Sequence, residues 1–191
     1  MLLVDWQIKQ YLDAGVITID PYDPALVQPN SIDVRLGNNF VIYQKSDTII
    51  DPYDRESIVD HTQTIVADDI VVGPDDFVLA RTIEFIRLPK TIVADLKGKS
   101  SLARLGIEVH QTAGWIDAGF SGTITLELKN ANVRPVRLYA GMTIGQIAFN
   151  ETEPVDTPYD RRVGAKYNGQ IAATPSRYFE NRSVPPVDRV R

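Results

Sequence analysis

Cysteine is absent from the 191-residue chain, which removes disulfide frameworks, thiol nucleophiles, iron–sulfur clusters and every cysteine-containing zinc site. Histidine is scarce. Only His61 and His110 occur, too far apart for a helical metal pair and too few for a three-histidine centre, so no protein-borne metal site is expected. No apolar run approaches the roughly 18 residues of a membrane span. Met1-Leu2-Leu3-Val4 meets Asp5 before a secretory apolar stretch can form, so a soluble, cytoplasmic chain without a membrane partner is expected. Basic charge is in short supply, with 20 Lys and Arg against 25 Asp and Glu and a formal net charge of −5. That balance argues against gripping the phosphates of a long nucleic acid, while a small anionic ligand needs only a local cluster of cations. The P-loop signature G-x-x-x-x-G-K-[ST] is also missing.

What is present belongs to a folded protein, since hydrophobic residues at 43% and charged residues at 24% match soluble globular domains. The length suits one compact domain with an appendage. Asp5–Gly15 reads as the one long helix, with Asp5 as cap, Ile8, Tyr11 and Leu12 on one stripe and Gly15 at the exit. Beyond it, short β-branched runs alternate with Pro, Gly, Asn and Asp, and strands are expected at 31–36, 40–43, 64–66, 77–82, 91–96, 121–129, 136–139 and 143–149. Regular short strands of this kind predict a mainly β fold, a barrel or a sandwich. The alternation is clearest in Thr123–Lys129, where Ile124, Leu126 and Leu128 share one face and Thr125 and Glu127 the other.

Ser100–Gly106 has a Ser start, a helix-forming middle and a Gly stop, and Lys97 and Lys99 flank its beginning. A strand running into such a helix start can receive an anion. After Asn150 the composition shifts, because the last 41 residues hold five of the twelve prolines and no sustained apolar period. The chain therefore divides into residues 1–150, a β domain, and residues 151–191, an arm. The arm carries Arg161, Arg162, Lys166, Arg177, Arg182, Arg189 and Arg191 with Tyr159, Tyr167, Tyr178 and Phe179, a set that can order over a ligand or a neighbouring subunit.

Several spaced blocks resemble one family. Gly98–Gly106, His110–Gly122, Thr125-Leu126-Glu127, Gly141–Gln146 and Lys166–Gln170 look like the dCTP deaminase branch of the dUTPase-like superfamily. The resemblance implies a distorted, jelly-roll-like β-barrel with an N-terminal helix, assembled as a homotrimer whose active sites lie at subunit interfaces and are closed by the C-terminal arm. It also implies dCTP and dUTP as ligands, dTTP as an inhibitor, and Mg²⁺ bound through the triphosphate.

Zinc nucleobase deaminases need an H-x-E element and a P-C-x-x-C element, and the chain has neither. A zinc-independent deaminase must activate water with a carboxylate and deliver a proton to the ring nitrogen. Glu127 matches the family's catalytic glutamate, although an arbitrary strand Glu is usually a solvated residue. By the same resemblance Ser100, with the backbone carbonyl of Ala113, holds the attacking water and Arg104 supports the charged reaction centre. Helix capping by Ser100 is compatible with that role. His110, a lone His between apolar residues, reads as a satisfied structural residue. Asp117 reads locally as an Asx-turn residue, but the resemblance makes it the carboxylate that orients water toward the α-phosphorus. Gly119 and Gly122 read as turn glycines.

For the nucleotide itself the family pattern adds Lys99, Ser101, Gln146, Tyr159, Lys166 and Gln170 on the phosphate side, and Thr125 and Leu126 beside Glu127. Deaminases that stop at dUTP carry a His-Arg pair after the Thr-Ala. This chain has Gly114-Trp115, similar to the bifunctional enzymes that proceed to dUMP. The expectation is therefore dCTP + 2 H₂O → dUMP + NH₃ + diphosphate, supplying dUMP for thymidylate synthesis. A deaminase releasing dUTP and a non-catalytic nucleotide sensor are the alternatives.

Overall fold

The computed structural model describes residues 1–181, so Arg182, Arg189 and Arg191 lie outside the described residues. Helix α1 spans Asp5–Asp13 and buries Ile8, with Tyr11 and Leu12 against the core. Its start differs from expectation. Asp5 is the first helical residue and Val4 the N-cap, whose N–H is met by the Gln7 side chain at 3.1 Å. Its end is the one anticipated, for Gly15 adopts φ +67° while the N–H groups of Gly15 and Val16 bond back to Leu12 and Tyr11.

Thirteen strands follow in chain order: β1 (Thr18–Asp20), β2 (Val27–Gln28), β3 (Ser31–Arg35), β4 (Asn39–Tyr43), β5 (Thr62–Val66), β6 (Asp69–Val72), β7 (Phe77–Arg87), β8 (Ile92–Gly98), β9 (Ile107–Glu108), β10 (Trp115–Ile116), β11 (Ser121–Asn130), β12 (Val136–Tyr139) and β13 (Thr143–Glu151). Helix α2 (Arg55–Val59) precedes β5 and helix α3 (Ser100–Ala103) precedes β9. One sheet runs β5-β4-β7-β11-β9, with β1 joined to the far end of β7; a second runs β10-β8-β13-β3-β2; β12 and β6 form a ribbon. Their inner faces share a core that includes Phe40, Ile86, Leu96, Leu126, Leu128, Ile147 and Phe149, each side chain contributing about 1.5–3 kcal/mol by burial. The mainly β expectation is met, and the expected Thr123–Lys129 alternation is observed, with Ile124, Leu126 and Leu128 inward.

β7 is longer than expected. The sequence pattern predicts its end at Thr82, yet β7 continues to Arg87 and buries Glu84, 1% exposed, at an inward position. Arg35 supplies the reason. Its backbone N–H and Nε donate to the two Glu84 oxygens at 2.9 and 2.6 Å, so the carboxylate is buried with its partners. Between Thr123 and Thr125 the β7–β11 register shifts. The N–H of Ile124 bonds instead to the Thr82 hydroxyl at 3.0 Å, a bulge that sets the outward face of β11 just before Thr125 and Glu127.

Candidate active site

A cavity of about 470 Å³ opens against that outward face. β11 offers Thr125 and Glu127, β4 and β7 add Tyr43, Phe77 and Leu79, and Ala113, Gly114, Trp115, Ile116 and Asp117 form another wall. The chain beyond β13 closes it with Tyr159, Tyr167, Gln170, Thr174 and Ser176. Leu126 alternates to the opposite side and is fully buried in the core, so only its backbone can meet a ligand here.

Glu127 is fixed by its neighbours on both sides. Its N–H donates to Val109 O at 3.0 Å, and its Oε2 accepts the Gln111 N–H at 2.9 Å. Across the cavity, burial, with the nearby charges of Tyr167 and Glu127, pushes the Tyr43 phenol above its ordinary pKa. Tyr43 therefore remains a neutral group packed on Phe77, with ring centroids 5.8 Å apart.

Asp117 does not spend its side chain on a turn. Its backbone carbonyl accepts the Phe120 N–H, whereas Oδ1 accepts the indole N–H of Trp115 at 3.1 Å and Oδ2 lies 3.8 Å from Arg162 Nη1. Gly114 is buried by close approach: a β-carbon there would stand 2.8 Å from the Leu96 carbonyl oxygen and 3.3 Å from the His110 ring. The ring so placed is not the satisfied histidine expected, since Nδ1 is buried without a hydrogen-bond partner. Gly119 has φ +83°, and a β-carbon on it would meet Pro158 at 2.5 Å. Glycine thus lets the chain after β13 dock, with the Tyr159 N–H on Ala118 O at 2.8 Å.

That chain continues along the start of β11. Gln170 O accepts the Thr123 N–H, and Gln170 Nε2 donates to Thr123 O at 2.8 Å and Thr125 Oγ1 at 3.1 Å. Gln170 Oε1 is buried without a partner. Farther on, Ala173 packs with Val41 and Leu79, while Lys166 donates to Asn181 at 2.6 Å rather than entering the cavity.

The remaining expected residues gather elsewhere, where the end of β8 meets the first half of β13. Lys99 is the N-cap of α3 and Ser100 its first residue, so Ser100 is not the cap the sequence suggested and makes no capping bond. Ser100, Ser101 and Arg104 are exposed, with Arg104 Nη1 donating to Ser100 O at 3.1 Å. Gln146 takes the Ser31 hydroxyl on Oε1 at 2.8 Å and donates to Gly98 O at 3.3 Å. Lys99 is not free, for its ammonium pairs with Asp33. Sequence reasoning missed Asp33. It is buried beside Gln146 in register, and its Oδ1 has no partner. A carboxylate inside the apolar run Ser31–Leu36 was the available signal. Within one chain, then, the carboxylate group around Glu127 and the cationic and hydroxyl group around Ser100 do not share the cavity.

A family model described as dCTP deaminase-like matches residues 2–152. The chain is 58% identical over 182 residues to a Methanospirillum hungatei protein named dCTP deaminase, dUMP-forming, covering 95% of this chain and 98% of the relative. A protein of the same name from Acidothermus cellulolyticus is 44% identical over 185 residues, covering 95% of this chain and 97% of the relative. The crystal structure of 2'-deoxycytidine 5'-triphosphate deaminase from Agrobacterium tumefaciens superposes with a TM-score of 0.61 over 78% of this chain and 46% of that one. At 23% identity this last likeness speaks to the fold alone.

Proposed function

Because the chain belongs to the dCTP deaminase-like family of the dUTPase-like superfamily, we propose that it converts dCTP to dUMP, ammonia and diphosphate with two waters, as a cytoplasmic enzyme. The observation that carries this reading is that two carboxylates, Glu127 and Asp117, line one cavity, each with one oxygen held by a donor. Glu127 takes a proton from the first water as the water oxygen bonds to C4 of the cytosine ring, and the proton passes to N3. The C4–N4 bond then breaks, and a second transfer through Glu127 lets ammonia leave. The Gln111 N–H on Oε2 fixes the carboxylate plane during both transfers. For the second reaction Asp117 orients a water whose oxygen bonds to the α-phosphorus while the α–β bridging bond breaks. Diphosphate departs and the water's proton is lost to solvent.

Ser100, with the Ala113 carbonyl, holds the first water, and Arg104 balances the charge of the reacting centre. Their separation from the cavity in one chain supports a site completed by a second copy, in keeping with a homotrimer with interfacial sites. Residues 1–150 serve as the catalytic barrel and 151–191 as the arm over it; Tyr159 and Gln170 line the cavity, and Lys166 exchanges its Asn181 partner for the phosphates as the arm closes on the nucleotide. Thr125, already bonded to Gln170, and the Leu126 backbone border the base.

Among the described residues no cluster of three or more His, Cys, Asp or Glu gathers. The residues do fit a magnesium nucleotide. Asp33 Oδ1 is a buried oxygen without a partner, beside Lys99 and Gln146, and magnesium takes one or two carboxylates together with substrate phosphates. When bound, the ion offsets part of the roughly four negative charges of the triphosphate. Lys99, Ser101 and Gln146 share the rest.

Incubation with dCTP and Mg²⁺, followed by separation of dUTP from dUMP, tests the function. The expected product is dUMP. Accumulation of dUTP alone, with added dUTP left intact, would reduce the protein to a plain deaminase.

A further inference from the structure

The two carboxylates of the cavity are held in different ways. Glu127 is held by a backbone N–H, which no substitution of Gln111 other than proline removes. Among the described residues Asp117 is held by side chains alone, a hydrogen bond from the indole N–H of Trp115 at 3.1 Å and an ion pair with the guanidinium of Arg162 at 3.8 Å. Trp115 and Asp117 are two residues apart on extended chain and so point the same way. The indole is 57% exposed, and its single polar atom is committed to Asp117. Arg162 follows a 3₁₀ turn at Tyr159–Arg161 that is anchored by the Tyr159 N–H on Ala118 O and by Tyr159 against Phe120, ring centroids 5.7 Å apart.

The geometry points to Trp115 and Arg162 as positioning residues that hold Asp117 for attack on the α-phosphorus, and so decide whether the product leaves as dUMP or dUTP. This rests on the role proposed for Asp117 above. A carboxylate offers about four lone-pair sites, so the indole hydrogen bond fixes its rotation, the guanidinium charge holds the other oxygen, and room is left for a water. Without them the half-exposed Asp117 rotates in solvent and aligns the water poorly. Since Arg162 lies beyond β13, the second reaction also depends on that segment being seated.

The test measures the share of dUTP in total product during dCTP turnover by the full-length enzyme. Trp115→Phe keeps the aromatic ring and deletes the N–H, while Arg162→Gln, at an exposed position, deletes the charge without burying anything. Each is expected to raise the dUTP share at least fivefold and to add nothing beyond twofold in an Asp117→Asn background, as groups acting through one residue should. A purely structural role would slow both reactions together and leave the share where it was. If Asp117→Asn raises the dUTP share and the other two variants leave it at the wild-type level, the positioning roles are wrong and the role of Asp117 stands. If Asp117→Asn leaves the share unchanged, the role of Asp117 fails and the positioning proposal with it.

Discussion

The backbone N–H of Gln111 donates to Glu127 Oε2 at 2.9 Å across 16 positions of sequence. This bond ties the segment between β9 and β10 to β11. Substitution at residue 127 can therefore change the chemistry of the group while keeping the tether.

Glu127→Gln is the sharpest use of that arrangement, because an amide oxygen still accepts the Gln111 N–H but cannot carry a proton. Deamination should fall about 10²–10⁴-fold while nucleotide binding persists. Ammonia release and titration calorimetry with dCTP read the two properties separately. Deamination within about threefold of wild type would remove Glu127 from the mechanism.

Removing Mg²⁺ should weaken triphosphate use, because Asp33, Lys99 and Gln146 then face the full charge of the nucleotide. A zinc-selective chelator that spares Mg²⁺ should have no effect. Metal analysis of the active protein checks this: stoichiometric zinc whose removal abolishes turnover would overturn it.

Gly114→Ala places a β-carbon 2.8 Å from the Leu96 carbonyl oxygen, a contact that only movement of β8 or of residues 113–117 relieves. Overpacking of this kind costs about 1–3 kcal/mol. The same movement displaces Trp115 and Asp117, so the dUTP share should rise along with the drop in the urea midpoint. Unaltered stability would mean the segment yields freely. The His-Arg pair at 114–115 should shift output further in the same direction.

Glu84→Ala strands Arg35 against the core. Breaking a buried pair costs about 3–5 kcal/mol, and the 24% exposure of the Arg35 side chain argues for the lower end, about 3 kcal/mol. Equilibrium urea unfolding measures it. A loss under about 1 kcal/mol would show that Arg35 finds solvent instead.

How far the sequence disclosed all this depended on the range of each interaction. Helix α1 and the inward face of β11 rest on contacts within a turn or along one strand, and their spacing was readable. The second half of β7 was hidden because Glu84 breaks the apolar pattern and its partner Arg35 lies 49 positions away. β6 was missed for a similar reason, its four residues being stabilised by pairing with β12, where Val72 faces Val136. At the site, family blocks marked Glu127 and Asp117, but Asp33 became visible only when the fold brought Lys99 to it across 66 positions. The Trp115–Asp117 spacing was in plain view, but the turn of the indole onto the carboxylate is a feature of the folded chain alone.

The separation of Glu127 from Arg104 within one chain bears on mixtures of damaged subunits. If Glu127 of one copy works with Arg104 of another, a Glu127→Gln chain and an Arg104→Ala chain, each inactive alone, can repair one another. Random co-assembly in equal amounts should rebuild about one site in four, those flanked by an intact residue from each parent. Mixed assemblies made by unfolding and refolding the two variants together should regain activity that neither preparation shows by itself, while a protein complete within each subunit would stay dead in every blend.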